Sequence, residues 1–594
     1  MTDAATDLGE LPTWDLSDLY AGTEDPALKK DMQDCAAASK AFAERWRGKI
    51  ADASAKDIRE AVAEYERIDE ILSRVMSFAG LLHAGDVSDA ARGRFMQDMS
   101  EKATEISTVL VFFELELNNL PEGSMDALIA DPDVAPYGPW LEQVARWRAH
   151  QLSEDMETLL QEKASTGRQA WNRLFDETMA EIRFDADGKS LTSAEVLNML
   201  SGADRAKRKA AGEAIGKTLG DNGRLFAQIT NTLAKDKAVE DKWRKYAKPI
   251  SARNLANQVE DEVVDALVEA VRDSYPTLAH RYYGLKAKWF GGEKLAYYDR
   301  NAPLPDSDDR LITWDEAEST VMDAYASFSP KLADVAKPFF DKRWIDAPAR
   351  AGKNPGAFAH PTVPSAHPYL LLNYQGKTRD VMTLAHELGH GVHQRLAAGQ
   401  GHFLAQTPLT LAETASVFGE MLTFQKLLRQ SPDAKAKRAL LASKTEDMLN
   451  TVVRQISMLC FELKVHDERR QGELPAERIC EIWMETQRES LGPALEFDDG
   501  YKWFWAYIPH FVHTPFYVYA YAFGDCLVNA LYAVYQDGET GFADRYLAML
   551  SAGGAKGHKE LLAPFGLDAS DPAFWKRGLE VIAGFVGELE AMDG

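Results

Sequence analysis

The sequence predicts a mainly α-helical protein, and three observations carry that prediction. Long stretches rich in Ala, Lys, Glu and Leu, with apolar residues three and four apart, occupy most of the chain. Acidic and basic residues interleave between them, as on solvated helix faces. The main strand signals lie in two segments, at 182–192 and 347–376.

The first helical stretch is 26–48, "PALKKDMQDCAAASKAFAERWRG". The same texture continues through 55–120, 153–180, 193–245, 259–291 and 314–341. At 182–192, "IRFDADGKSLT", Asp187-Gly188 separates two β-like runs and predicts a hairpin. Asp185 and Asp187 resemble the start of a calcium loop, but the twelfth position is Val196, where such a loop needs a bidentate acid. The hairpin is taken to mark a domain boundary, giving residues 1–200 and 201–594. Residues 347–376 hold five prolines, and "HPYLLLNYQG" (367–376) reads as a strand closed by a glycine and leading into a helix.

The bulk composition sets bounds. A chain of 594 residues exceeds a single small core. Its 45% hydrophobic and 27% charged content is that of a globular protein. A net charge of −25, from 67 basic and 92 acidic residues, argues against a nucleic-acid partner. The four cysteines, at 35, 460, 480 and 526, form no C-x-x-C pair and no disulfide framework. The opening "MTDAATDLGELPTWDLSDLY" is acidic and lacks the apolar run of a signal peptide. No run of 18 apolar residues is present, so no membrane span is expected. A soluble cytoplasmic protein is the expectation.

Residues 383–394, "TLAHELGHGVHQ", concentrate the chemistry. Val381, Leu384, Ala385, Leu388, Val392 and Leu396 form a buried stripe at spacings of three and four, with Asp380 in or just before the first turn. His386, His390 and His393 form a second stripe beside it. Residues four apart rise about 6 Å and return to nearly one face, so His386 and His390 can converge on one ion. Glu387 then reaches a water at that ion as general base, the logic of H-E-x-x-H. His393 lies about 10 Å along the axis from His386, too far to share the ion. A role behind the ligands, toward substrate, or in helix packing is left for it. Position 396 is Leu396, which excludes the longer H-E-x-x-H-x-x-G-x-x-H pattern.

A catalytic zinc takes three protein ligands and one open position. The segment "TPLTLAETASVFGEMLTFQKLL" (407–428) supplies the third from a helix returning antiparallel to the first. Glu413, 23 residues after His390, is the chosen ligand. Glu420, two turns on, is expected to orient a ligand imidazole. Residues 501–524, "YKWFWAYIPHFVHTPFYVYAYAFG", hold His510, His513, Tyr517, Tyr519 and Tyr521. The period of two permits a buried strand-like run; it equally permits a cluster of donors for a developing oxyanion.

Taken together these blocks resemble the oligoendopeptidase F family, relatives of thimet oligopeptidase among the zinc metallopeptidases. The resemblance rests on "LPTWDLSDLY" (11–20), "LAYYDRNAPL" (295–304), "NPGAF" (354–358), "HPYLLLNYQGKTRDVMTLAHELGHGVHQ" (367–394), "LAETASVFGE" (411–420) and "HFVHTPFYVYAYAFG" (510–524). It implies one zinc ion held by His386, His390 and Glu413, with Glu387 as base. It implies transition-state hydrogen bonds from the block of Tyr517, Tyr519 and Tyr521. That block begins with a histidine; His510 and His513 both qualify, and His510 is preferred. It also implies an elongated helical ellipsoid with a deep substrate channel, and a small sheet beside the zinc built from "NPGAF" and "HPYLLLNY". Residues 1–200 would be an N-terminal helical domain and 201–594 the catalytic domain. The function implied is hydrolysis of internal bonds in short unstructured peptides. A carboxypeptidase of related fold, gripping a C-terminus through Lys377 or Arg379, is one rival. An inactive peptide-binding homologue and a structural zinc protein are the others.

Overall fold

Helices make up most of the chain in the computed structural model, which describes residues 8–121, 123–304 and 310–593. The expected helical stretches all form, divided by short turns. Residues 55–120, for example, become Ala55–Ala84, Ala90–Leu110 and Phe112–Asn118. Ser54 and Asp57 cap the first of these reciprocally, and Asp89 caps the second through the Ala91 and Arg92 N–H groups.

The chain divides into two compact units, each assembled from three stretches. The first comprises Met1–Arg148, Asp309–Gln430 and Glu539–Gly566; the second comprises Ala149–Asp308, Ser431–Gly538 and Leu567–Gly594. The division expected near residue 200 does not coincide with the border of these compact units. The hairpin does form, as β1 (Phe184–Ala186) and β2 (Lys189–Leu191), with both Asp187 and Gly188 at positive φ. It lies inside the second unit and ends neither. Composition and turn signals are local, whereas the units are closed by chain returning from far away.

The second unit also holds a short parallel pair, β3 (Leu295–Ala296) with β7 (Leu495–Glu496). The first unit contains a three-stranded sheet of order β4-β6-β5. Its strands are β4 (Ile345–Pro348), β5 (Phe358–His360) and β6 (Tyr369–Tyr374). β6 is the expected apolar strand and sits centrally, parallel to β4 and antiparallel to β5. "NPGAF" contributes only its final Phe358 to β5. β4 was not expected from the sequence. It is anchored by Asp346, buried and paired with Lys353 and Arg350.

β6 leads through Gly376 into a helix spanning Thr378–Ala397, here the histidine helix. Asp380 sits in its first turn and accepts from the Gln375 and Lys377 N–H groups, which fixes the angle between strand and helix. Val381, Leu384, Ala385, Leu388 and Val392 are fully buried, as the stripe requires, and Leu396 is half-buried. Burying each of the larger ones contributes about 1.5–3 kcal/mol. After a 3-10 turn at Ala398–Gln400, the chain returns as the glutamate helix, Leu409–Gln430. Gly389 sets how closely this pair packs, and Gly419 makes room for a tyrosine from the helix Trp314–Phe328. A Cβ on Gly389 would lie 2.4 Å from the Ala415 carbonyl oxygen. A Cβ on Gly419 would meet the Tyr325 hydroxyl, which instead donates to the Ala385 carbonyl at 2.7 Å.

Candidate metal centre

The histidine and glutamate helices carry His386, His390 and Glu413 to one point. Their donor atoms lie within 4.8 Å of one another, and this is the one such group of three among the described residues. Nε2 of His386 and Nε2 of His390 each stand 3.4 Å from the same Glu413 oxygen. The imidazole rings are 5.0 Å apart and nearly perpendicular. Ligands at about 2.0–2.1 Å from a tetrahedral ion stand about 3.4 Å from each other. The donor set, two imidazoles and a carboxylate, and its spacing fit one such ion.

Charge at this point favours a cation. Burial alone would pull His386 down, but its hydrogen bond to Glu420 and the charges of Glu413, Glu420 and Glu387 raise its pKa to about 9. Burial acts to raise Glu413, but the His390 hydrogen bond, both imidazoles and Ser416 bring it to about 2. Glu420, two turns beyond Glu413, reaches the other side of the His386 ring. Its carboxylate lies 3.2 Å from Nδ1 of His386, leaving Nε2 facing Glu413. The Ser416 hydroxyl donates to Glu413 at 2.7 Å.

Glu387 is buried, at 8% exposure. Burial raises its pKa against the pull of the two imidazoles, and the Ala359 N–H of edge strand β5 is directed at its carboxylate. A carboxylate raised toward neutrality suits proton exchange better than a fixed charge does. His393 is buried with a pKa lowered to about 4 by burial, and it interacts with the Ala412 backbone. That contact ties the histidine helix to the glutamate helix. Ser416 and the Ala359 amide escaped the sequence reading. Ser416 had a signal, three residues after Glu413 on a helix; a backbone N–H from a separate strand had none. Lys377 and Arg379 are exposed at the start of the histidine helix, two turns before His386.

The histidine–tyrosine block belongs to the second unit, and its alternation is not a strand. His510–His513 form one helical turn, and Tyr519–Gln536 form a helix that Tyr517 precedes. Tyr517 and Tyr521, four apart, pack at 5.3 Å between ring centroids, and the His510 ring lies 6.0 Å from each. Nε2 of His510 is 3.3 Å from the Tyr521 hydroxyl. Tyr519, two residues from either, points away. It is fully buried, and its hydroxyl accepts from the Asn257 amide at 2.9 Å. His513 turns to Asp176, at 2.8 Å. The chain before Tyr517 is held firmly: Phe516 has φ +60°, and its N–H donates to buried Glu462 at 2.8 Å. Burial lowers the His510 pKa, with Arg454 and His513 adding to the effect.

No described helix is long and apolar enough to cross a membrane. The four cysteines are free, three of them buried.

Comparison with known proteins bears on the family and the fold. Residues 198–581 match the model of peptidase family M3, and residues 116–184 match the model described as oligopeptidase F. The two models meet around the β1–β2 hairpin, although the compact units do not divide there. Oligopeptidase PepF of Bacillus subtilis is 27% identical over 94% of this chain and 84% of its own. An oligoendopeptidase F homologue of Lactococcus lactis is 25% identical over 100% and 99%. Among solved structures, oligoendopeptidase F of Enterococcus faecium shares the fold. It has a TM-score of 0.70 and 21% identity, covering 96% of this chain and 99% of that one. PZ peptidase A with an inhibitor gives 0.72 and 17%, over 97% and 100%. With the family model spanning well over half its length, the chain belongs to peptidase family M3, a family of metallopeptidases.

Proposed function

We propose that this protein is a zinc endopeptidase that hydrolyses internal bonds of short unstructured peptides. The observation that carries the reading is the convergence of His386, His390 and Glu413 with buried Glu387 beside them. The names of the relatives, oligopeptidase and oligoendopeptidase F, support the substrate class. Two imidazoles with one carboxylate at tetrahedral spacing support zinc.

Bound by these three residues, zinc supplies a Lewis acid that polarises the scissile carbonyl and makes a water acidic enough to react near neutral pH. The chain's own residues do the rest. Glu387 takes a proton from the attacking water and passes it to the leaving amine. Burial raises its pKa above the ordinary carboxylate value. Glu420 holds Nδ1 of His386, so that Nε2, which faces Glu413, would be the atom left to hold the metal. Ser416 fixes the Glu413 carboxylate. Edge strand β5 offers a backbone against which an extended peptide pairs. Oxyanion donation is assigned to Tyr517, Tyr521 and His510, which share one cluster. Tyr519 and His513 are left out of that role because they stand apart from the cluster, Tyr519 buried against Asn257 and His513 paired with Asp176.

The test is a nine-residue peptide blocked at both ends, incubated with the protein with and without a chelator, products read by mass. Internal cleavage abolished by chelator is expected. A carboxypeptidase cannot cut this peptide, so cleavage only of its free-ended counterpart would overturn the endopeptidase reading.

A further inference from the structure

The segment "LAYYDRNAPL" (295–304) has no part in the chemistry above, yet the second unit holds it rigidly. Its first two residues form β3 and pair with β7. Asp299, 1% exposed, is clasped by Arg208 and Arg205, each at 2.8 Å. The Lys286 ammonium, wholly buried, donates to the Arg300 carbonyl at 2.7 Å and pairs with Glu446. The backbone is thus fixed on both sides of Arg300, whose side chain enters a cavity of about 310 Å³.

A second guanidinium, that of Arg454, lines the same cavity, with Asn301, Tyr501, Tyr507 and Trp483 around them. Arg300 donates to the Asn301 side-chain oxygen at 3.3 Å and to the Tyr501 hydroxyl at 3.5 Å. Arg454 donates to the Tyr507 hydroxyl at 3.4 Å. All three contacts are long and all three acceptors are neutral. Each guanidinium has five N–H donors, and among the described residues neither meets a carboxylate. In the same unit Arg205, Arg208, Arg244 and Arg478 have acid partners, while Arg168, Arg253 and Arg469 donate to backbone carbonyls. Both guanidiniums are partly buried and line one cavity. A planar anion held by both would make forked, charge-assisted contacts with them. Aromatic walls exclude water and strengthen such contacts.

We infer that Arg300 and Arg454 form a carboxylate-binding site for peptides, taking either a C-terminal carboxylate or an Asp or Glu side chain. This rests on the proposed peptide substrate class. The field of Arg454 reaches His510, which links the cavity to the histidine–tyrosine block within the same unit. The site sets peptide preference through binding, and the two arginines take no part in bond cleavage.

Binding is measured calorimetrically in the metal-loaded Glu387→Gln protein, where turnover does not interfere. Three N-acetylated pentapeptides of one neutral sequence are used: a free acid, its C-terminal amide, and the amide with one internal Glu. At least one acidic peptide is expected to bind about tenfold or more tightly than the neutral amide. The free acid doing so assigns a C-terminal carboxylate, and the Glu peptide a side chain. The ratio should fall to near one in Arg454→Gln and Arg300→Gln. Arg300 also touches buried Tyr501, so if Arg300→Gln fails to fold, Arg454→Gln decides. Equal binding of all three peptides, or a preference that survives in the folded variants, overturns the inference. Binding is read without cleavage, so failure of the peptidase reading shows separately, as an uncut blocked peptide in the unsubstituted protein.

Discussion

The histidine pair His386 and His390 and the tyrosine pair Tyr517 and Tyr521 share one spacing and differ in how openly the chain displays it. Both converge, with ring centroids 5.0 Å and 5.3 Å apart. Around the histidines an apolar stripe with the same helical period makes the helix explicit. Around the tyrosines, Tyr519 intervenes and creates a period of two, which reads as a strand. On a helix, residues two apart point in nearly opposite directions. Tyr519 accordingly enters the interior while its neighbours cluster with His510. A run of one residue type does not fix its own secondary structure; the Ala- and Leu-rich residues after it do.

Substitutions sharpen that contrast, the largest effect first. Glu387→Gln should lower the rate of peptide cleavage by about 10²–10⁴-fold while the bound metal, read by elemental analysis, stays at the unsubstituted level. A second test addresses the tyrosine side through pH. Burial raises Glu462 to about 8, against a usual value near 4.5. The folded state then holds a proton that the unfolded state releases across this window. Stability from this group is full below about 4.5 and is lost as pH rises through about 8. Comparing melting curves of the native protein and Glu462→Gln should show a difference that changes across pH 4.5–8, on the order of 3–5 kcal/mol.

Smaller effects separate the three tyrosines. Tyr521→Phe and Tyr517→Phe should lower kcat by about 10- to 10³-fold with KM little changed. Tyr519→Phe should leave kcat alone and cost about 1 kcal/mol of stability, the bond from Asn257 being lost. Equal kcat losses for all three would break the proposed division. Glu420→Gln should weaken metal affinity by about 10- to 100-fold in a chelator competition. The smallest effect is expected at His513, whose pair with Asp176 is solvent-exposed. His513→Ala should change stability by about 0.2–1 kcal/mol and leave kcat unchanged.

Helix positions, the Asp-Gly hairpin and strand β6 were legible because each is written in neighbouring residues. So was the convergence of His386, His390, Glu413 and Glu420, since helical spacing and one short return determine it. Strand β4 was not, because "IDAP" has no strand period and forms by pairing with a partner some 25 residues away. The Ala359 N–H at Glu387 belongs to the same class of fact, a backbone group without sequence identity. The two units lie furthest from local reading, since each is closed by segments hundreds of residues apart. Arg300 and Arg454 stand 154 positions apart, and only the fold reveals that they share a cavity without an acid.

One measurement bears most directly on the central claim, that two histidines and Glu413 hold a zinc ion served by Glu387. Metal content and cleavage of the doubly blocked peptide are determined together for the native protein, Glu387→Gln and Glu413→Gln. Expected are one zinc per chain and internal cleavage in the native protein, zinc without cleavage in Glu387→Gln, and loss of both in Glu413→Gln. Cleavage that persists in Glu387→Gln, or full zinc retention in Glu413→Gln, would contradict it.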